Sequence, residues 1–90
     1  MELQVTRERI PSYEKVESKI RELDGTVIIL RVFYSIENLS YTFQLLKNNK
    51  MCSVEIPRQL LEELKDKDKK DKEEELTTIL RRCIRESRHE

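Results

Sequence analysis

Ninety residues carrying eighteen basic and eighteen acidic side chains have no net charge and a pI near 6.6, which excludes a global field that would draw in nucleic acid or an anionic membrane. The length sets a single domain over residues 1–90, small enough for a partner subunit to complete its core. Charged residues (40%) outnumber hydrophobic ones (37%), but the apolar side chains concentrate in residues 26–64 and 76–84, as in a folded domain with a charged skin.

Residues 2–6 alternate, with Leu3 and Val5 on one side and Gln4 and Thr6 on the other, which predicts a short edge strand. Pro11 and Ser12 then punctuate the chain. Tyr13, Val16, Ile20 and Leu23 follow at helical spacing, predicting an amphipathic helix over residues 12–24 with Ser12 as its N-cap. Gly25, the only glycine, suits a left-handed residue that ends it.

Thr26 to Tyr34 (TVIILRVFY) is rich in β-branched and aromatic residues and is expected to be the most buried strand. Strict alternation puts Ile28, Leu30, Val32 and Tyr34 on one face and Val27, Ile29, Arg31 and Phe33 on the other. Both faces are mostly apolar and both need a cover. A loop at 36–38 leads to a strand over 39–46 with Tyr41, Phe43 and Leu45 on one side, then a turn at 47–50 where asparagines tolerate positive φ. Met51 to Ile56 reads as a strand burying Cys52, Val54 and Ile56 and exposing Ser53 and Glu55. Pro57 closes it and suits the start of a helix.

Beyond Pro57, Leu60, Leu61 and Leu64 form one apolar stripe and Leu76, Ile79, Leu80 and Cys83 another. The two are about 120° apart on an unbroken helix, which could not bury both, so a break is predicted between Lys65 and Lys72. The charged segment at 65–75 reads as a solvated spacer, the alternative being that pairs such as Asp66 with Lys70 and Asp68 with Lys72 extend the first of these helices by a turn, and residues 87–90 read as a frayed end.

These elements predict an α+β domain: a small mixed or antiparallel sheet, made of a three-strand meander plus a short N-terminal strand, packed against an N-terminal helix and two C-terminal helices. A right-handed crossover would set the first strand parallel to the second.

Catalytic signals are sparse. The one histidine, His89, is next to the chain's last residue; zinc-ligand spacing is absent, and one glycine cannot make a phosphate-binding loop. No enzyme activity, cofactor or metal is therefore expected. No run of apolar residues spans a membrane and no leader is visible, so a cytoplasmic location is expected. Cys52 and Cys83 sit at apolar positions and are expected to be buried free thiols. Abundant Lys and Glu with no Ala give a thermophile-like composition, in which an intracellular disulfide stays open.

Two surfaces remain as candidates. Val27, Ile29, Arg31 and Phe33 form a possible interaction face for a protein partner or a homodimer, with Arg31 reaching the sheet rim, pairing with a carboxylate such as Glu55, or meeting the partner. On the last helix, Arg81, Arg85 and Arg88 lack local compensation, whereas Arg82 can pair with Glu86. These arginines complement the helix dipole, with Glu73, Glu74 and Glu75 at the opposite end, or contact phosphates of a nucleic acid.

Over residues 52–87 (CSVEIPRQLLEELKDKDKKDKEEELTTILRRCIRES) the order strand, proline, helix, polar spacer, helix resembles the C-terminal architecture of ribbon-helix-helix regulators. The resemblance implies an intertwined dimer whose paired strands enter the DNA major groove, with Met51, Ser53 and Glu55 as the groove-facing positions. Glu55 and the Glu73–Glu75 run depart from that pattern, since each sets negative charge where DNA would lie. A small non-catalytic interaction or assembly module is the primary reading, and a nucleic-acid-binding regulator the alternative.

Overall fold

The computed structural model describes residues 2–66 and 70–86. Four strands, β1 (Glu2–Val5), β2 (Ile28–Ser35), β3 (Ser40–Lys47) and β4 (Lys50–Pro57), form one antiparallel sheet in sequential order. Three helices, α1 (Tyr13–Leu23), α2 (Arg58–Glu63) and α3 (Lys70–Glu86), cover one of its faces, and a 3-10 turn at Arg7–Arg9 follows β1. This is the α+β fold expected, with the sheet wholly antiparallel.

The first strand is where the crossover argument fails. Val5 lies opposite Val32 and Glu2 opposite Ser35, so β1 points toward the end at which β2 begins. Parallel neighbours require a helix that carries the chain back along the strands. Here the 3-10 turn and Ser12, at φ 55, redirect the chain before α1 begins, and β2 is entered from the end that β1 leaves. The Ser12 hydroxyl does not cap α1 either: it donates to the Leu61 carbonyl at 2.7 Å, while Lys15 Nζ donates to the Leu64 carbonyl. The start of α1 thus satisfies carbonyls left open at the end of α2.

At its other end α1 is closed by Asp24, not by a left-handed Gly25, which has no positive φ. The Asp24 carboxylate accepts from the Thr26 amide at 2.9 Å and the Thr26 hydroxyl at 2.6 Å, and pairs with the buried Lys47 of β3. That network holds the Asp24 carboxyl far below the usual carboxylate range, Lys47 contributing most and Thr26 next.

The most buried strand is β3, not the Thr26–Tyr34 stretch. Tyr41, Phe43, Leu45 and Lys47 are buried and the residues between them half-buried, whereas Ile28, Leu30 and Arg31 of β2 are exposed. Position in the sheet decides this, because β3 has full-length neighbours on both sides and β2 pairs on one side with only four residues of β1. The two-residue turn Asn48–Asn49 joins β3 to β4 with φ of 51 and 66, as asparagine allows.

The core joins Val16 and Ile20 of α1 to Val32, Phe43, Leu45, Val54 and Ile56 of the sheet and to Leu60, Leu61, Leu64, Leu76 and Leu80 below. Phe43, fully buried, stacks against Tyr13 at 6.3 Å between centroids. The two apolar stripes beyond Pro57 both pack on the core, Ile79 half-buried and the rest buried, because the chain turns at Leu64–Asp66, overlapping the start of the segment predicted to break. Of the spacer pairs, Asp68 lies outside the described residues, and Lys72 faces Glu63 at 3.6 Å and Glu75 at 3.8 Å. Residues 87–90, and with them the frayed end, also lie outside the described residues.

Cys52 of β4 and Cys83 of α3 are joined as a disulfide, with Cα atoms 6.3 Å apart. The expected free thiols are thus corrected: α3 packs along β4 and brings the two apolar positions together. Because β4 also pairs with β3 throughout its length, its ladder partner lies within the chain, whereas a ribbon-helix-helix dimer takes that partner from a second copy.

Candidate interaction surface

Helices lie on one side of the sheet, and the other side carries cross-strand rows fixed by register. Ile28, Leu46 and Met51 make one row; Arg31, Gln44 and Ser53 the next; Gln4, Phe33, Thr42 and Glu55 a third. Ile28 is 53% and Met51 58% exposed, while Leu46 and Phe33 are half-buried. The open face is therefore apolar at the end bearing Ile28 and Met51 and mixed toward its middle.

A β-bulge decides which residues reach it. Ile29 pairs with Leu45 and Arg31 with Gln44, so Leu30 is an extra residue on β2 and the alternation changes phase there. Before the bulge Val27, 6% exposed, and Ile29 pack on the helix-covered core; after it Arg31 and Phe33 face outward. The four residues expected on one interaction face are split two and two. Ile28, Leu46 and Met51 take the places of Val27 and Ile29. Met51 was accessible to sequence reasoning through its phase with Ser53 and Glu55; Ile28 was not, because no Gly or Pro marks the bulge.

Arg31 does not pair with Glu55. The Glu55 carboxylate accepts the Ser40 hydroxyl at 2.6 Å, and Arg31 is exposed without an ion-pair partner among the described residues. The two charges sit on opposite flanks of the open face, on β2 and β4, with β3 between them.

On α3, Arg81, Arg82 and Arg85 are exposed and have no ion pair among the described residues; Arg88 lies outside them. Near the start of α1 a groove of about 450 Å³ is lined by Arg7, Lys15 and Lys65 together with Glu8 and Glu14, cations interleaved with their own counter-charges. Arg7 stands over the Tyr13 ring at 5.9 Å. The Tyr34 and Tyr41 rings lie 4.8 Å apart between centroids, tilted by 48°, with Arg58 donating to the Tyr34 hydroxyl at 3.4 Å, and burial raises the Tyr41 phenol above its usual value. Among the described residues no three His, Cys, Asp or Glu side chains come together as metal ligands, and no helix is long and apolar enough to cross a membrane. No family model, curated protein or solved structure matches the chain.

Proposed function

We propose that this chain is a small non-catalytic assembly module that forms a homodimer through its open sheet face. The observation that carries the reading is the uncovered row Ile28–Leu46–Met51, with Leu30 41% exposed beside it, on a sheet whose other face is covered by the helices. The charges on that face are self-complementary. A two-fold axis along β3 sets β2 of one copy over β4 of the other, where each Arg31 lies one row from the opposing Glu55.

Strands about 4.8 Å apart and ~3.3 Å per residue give a face of roughly 500 Å² in projection, or on the order of 1000 Å² for two copies. That is near the lower limit of specific interfaces, so the dimer is expected to depend on concentration in the micromolar range. Sedimentation equilibrium tests it: a charge reversal, Arg31→Glu, weakens association and the second reversal, Glu55→Arg, restores it. A wild type that stays monomeric at about 100 μM, a hundredfold above a micromolar constant, overturns the reading.

The cytoplasmic location belongs to the same proposal, and the Cys52–Cys83 disulfide accords with it only in a thermophile's cytosol. Arg81, Arg82 and Arg85, exposed and without an ion pair among the described residues, support the second reading, a nucleic-acid contact on α3. Anisotropy titrations of duplex DNA and single-stranded RNA at about 50 and 200 mM salt decide it, because phosphate contacts weaken steeply over that range. No binding at the lower salt removes it.

A further inference from the structure

Beyond the open face, the free edge of β4 has its own binding geometry. The Asn48–Asn49 turn makes Lys47 and Lys50 the closing hydrogen-bonded pair. Every second pair then bonds in the ladder, so Cys52, Val54 and Ile56 direct their backbone groups at β3 while Met51, Ser53 and Glu55 direct theirs outward. These three residues are exposed, and their amides have no backbone partner among the described residues. Edges of this length are usually blunted by lysine or proline in the middle of the strand. Here Lys50 and Pro57 stand only at its two ends.

Alongside that edge runs a groove of about 290 Å³, with Val54 at its base, Ser53 and Glu55 on the strand side and Thr78, Ile79 and Arg82 on the α3 side. The disulfide to Cys83 fixes the helix beside the strand. Strand on one side, helix on the other, with unpaired backbone groups between, is the arrangement that accepts an extended peptide by strand addition.

We infer that the β4–α3 groove binds an extended, acidic segment of a partner protein as a fifth strand of the sheet. Backbone bonds to Met51, Ser53 and Glu55 hold the segment, apolar side chains at alternate positions meet Val54 and Ile79, and a carboxylate meets Arg82. Charge selects this occupant. Arg82 has no ion pair among the described residues, and Arg81 and Arg85 flank it on the helix, so three cations of α3 stand against the one carboxylate of the groove, Glu55, which accepts the Ser40 hydroxyl. A second copy pairing β4 with β4 would set two arginine-bearing α3 helices side by side, which like charge opposes.

The test selects peptides from a random heptapeptide display library on the full chain and remakes the strongest as a fluorescent peptide for anisotropy. The selected sequences are expected to alternate β-branched residues and to carry Asp or Glu. Ser53→Pro removes an outward amide without touching the β3 ladder, and is expected to weaken binding about tenfold, the equivalent of one hydrogen-bonded pair. N-methylation of alternate peptide amides gives the same loss with the protein unaltered, so the result stands even if the proline variant misfolds. Arg82→Glu is expected to turn the preference from acidic to basic peptides. Failure to enrich any peptide, or binding indifferent to N-methylation, overturns the inference. Ile28→Glu, which abolishes the proposed face dimer, leaves peptide binding intact, so the two readings fail separately.

Discussion

The two faces of the sheet are built from the same strands yet do opposite work. On the covered face Val32, Phe43, Val54 and Ile56 lie one behind another and are nearly or wholly buried under the helices; on the open face the alternating partners are Gln44, Thr42, Ser53 and Glu55, with an apolar row only at one end. Stability is therefore concentrated on one side and the capacity for association on the other. Strand propensity does not distinguish them, since Ile28 and Val32 are equally β-branched members of β2; the bulge at Leu30 does.

The largest expected effect lies on the covered face. Phe43→Ala removes a fully buried ring stacked on Tyr13 and should cost about 3–5 kcal/mol in guanidinium unfolding, as expected for a buried aromatic. An equally large loss from an open-face residue would break the comparison. Next comes the clip between β4 and α3. Reducing the disulfide, which joins residues 31 apart, should cost about 2–4 kcal/mol by freeing the unfolded chain, seen as a lower melting temperature in dithiothreitol. An unchanged melting temperature would show that α3 is held by packing alone.

A smaller effect is expected at the Asp24–Lys47 pair. The folded carboxyl titrates below its unfolded value, so its stabilisation is complete above the unfolded value and fades as pH falls toward the folded one. Unfolding followed from about pH 5 to pH 2 should show stability decreasing through this window, and Asp24→Asn should flatten that dependence. The smallest effect is on the open face: in dilute solution Ile28→Ala should change stability by less than about 0.5 kcal/mol, whereas Val32→Ala on the same strand should cost about 2 kcal/mol.

Much of this fold was legible because period and turn chemistry agreed. The phases of β3 and β4, the asparagine turn, the helix around Val16 and Ile20, and the break between the two leucine stripes were all readable from spacing. The misses have physical causes. A bulge costs one residue and has no required side chain, so the change of phase at Leu30 was invisible, and with it half of the candidate face. The direction of β1 depends on how Ser12 turns the chain, and a serine at φ 55 is not announced by its identity. Glycine is the usual residue at a helix stop, which points to Gly25, whereas a side-chain network through Asp24 and a lysine 23 positions later ends the helix instead. The cysteine pairing depends on how α3 lies along β4, which spacing alone does not supply.

The measurement that bears most directly on the role of the open face is sedimentation equilibrium of the wild type and Ile28→Glu, from dilute solution to about 100 μM, a span that crosses a micromolar constant. The wild type is expected to approach twice the 10.9 kDa chain mass while the variant remains at the chain mass with an unchanged circular dichroism spectrum. A wild type that stays at 10.9 kDa throughout, or a dimer that Ile28→Glu does not disturb, would contradict it.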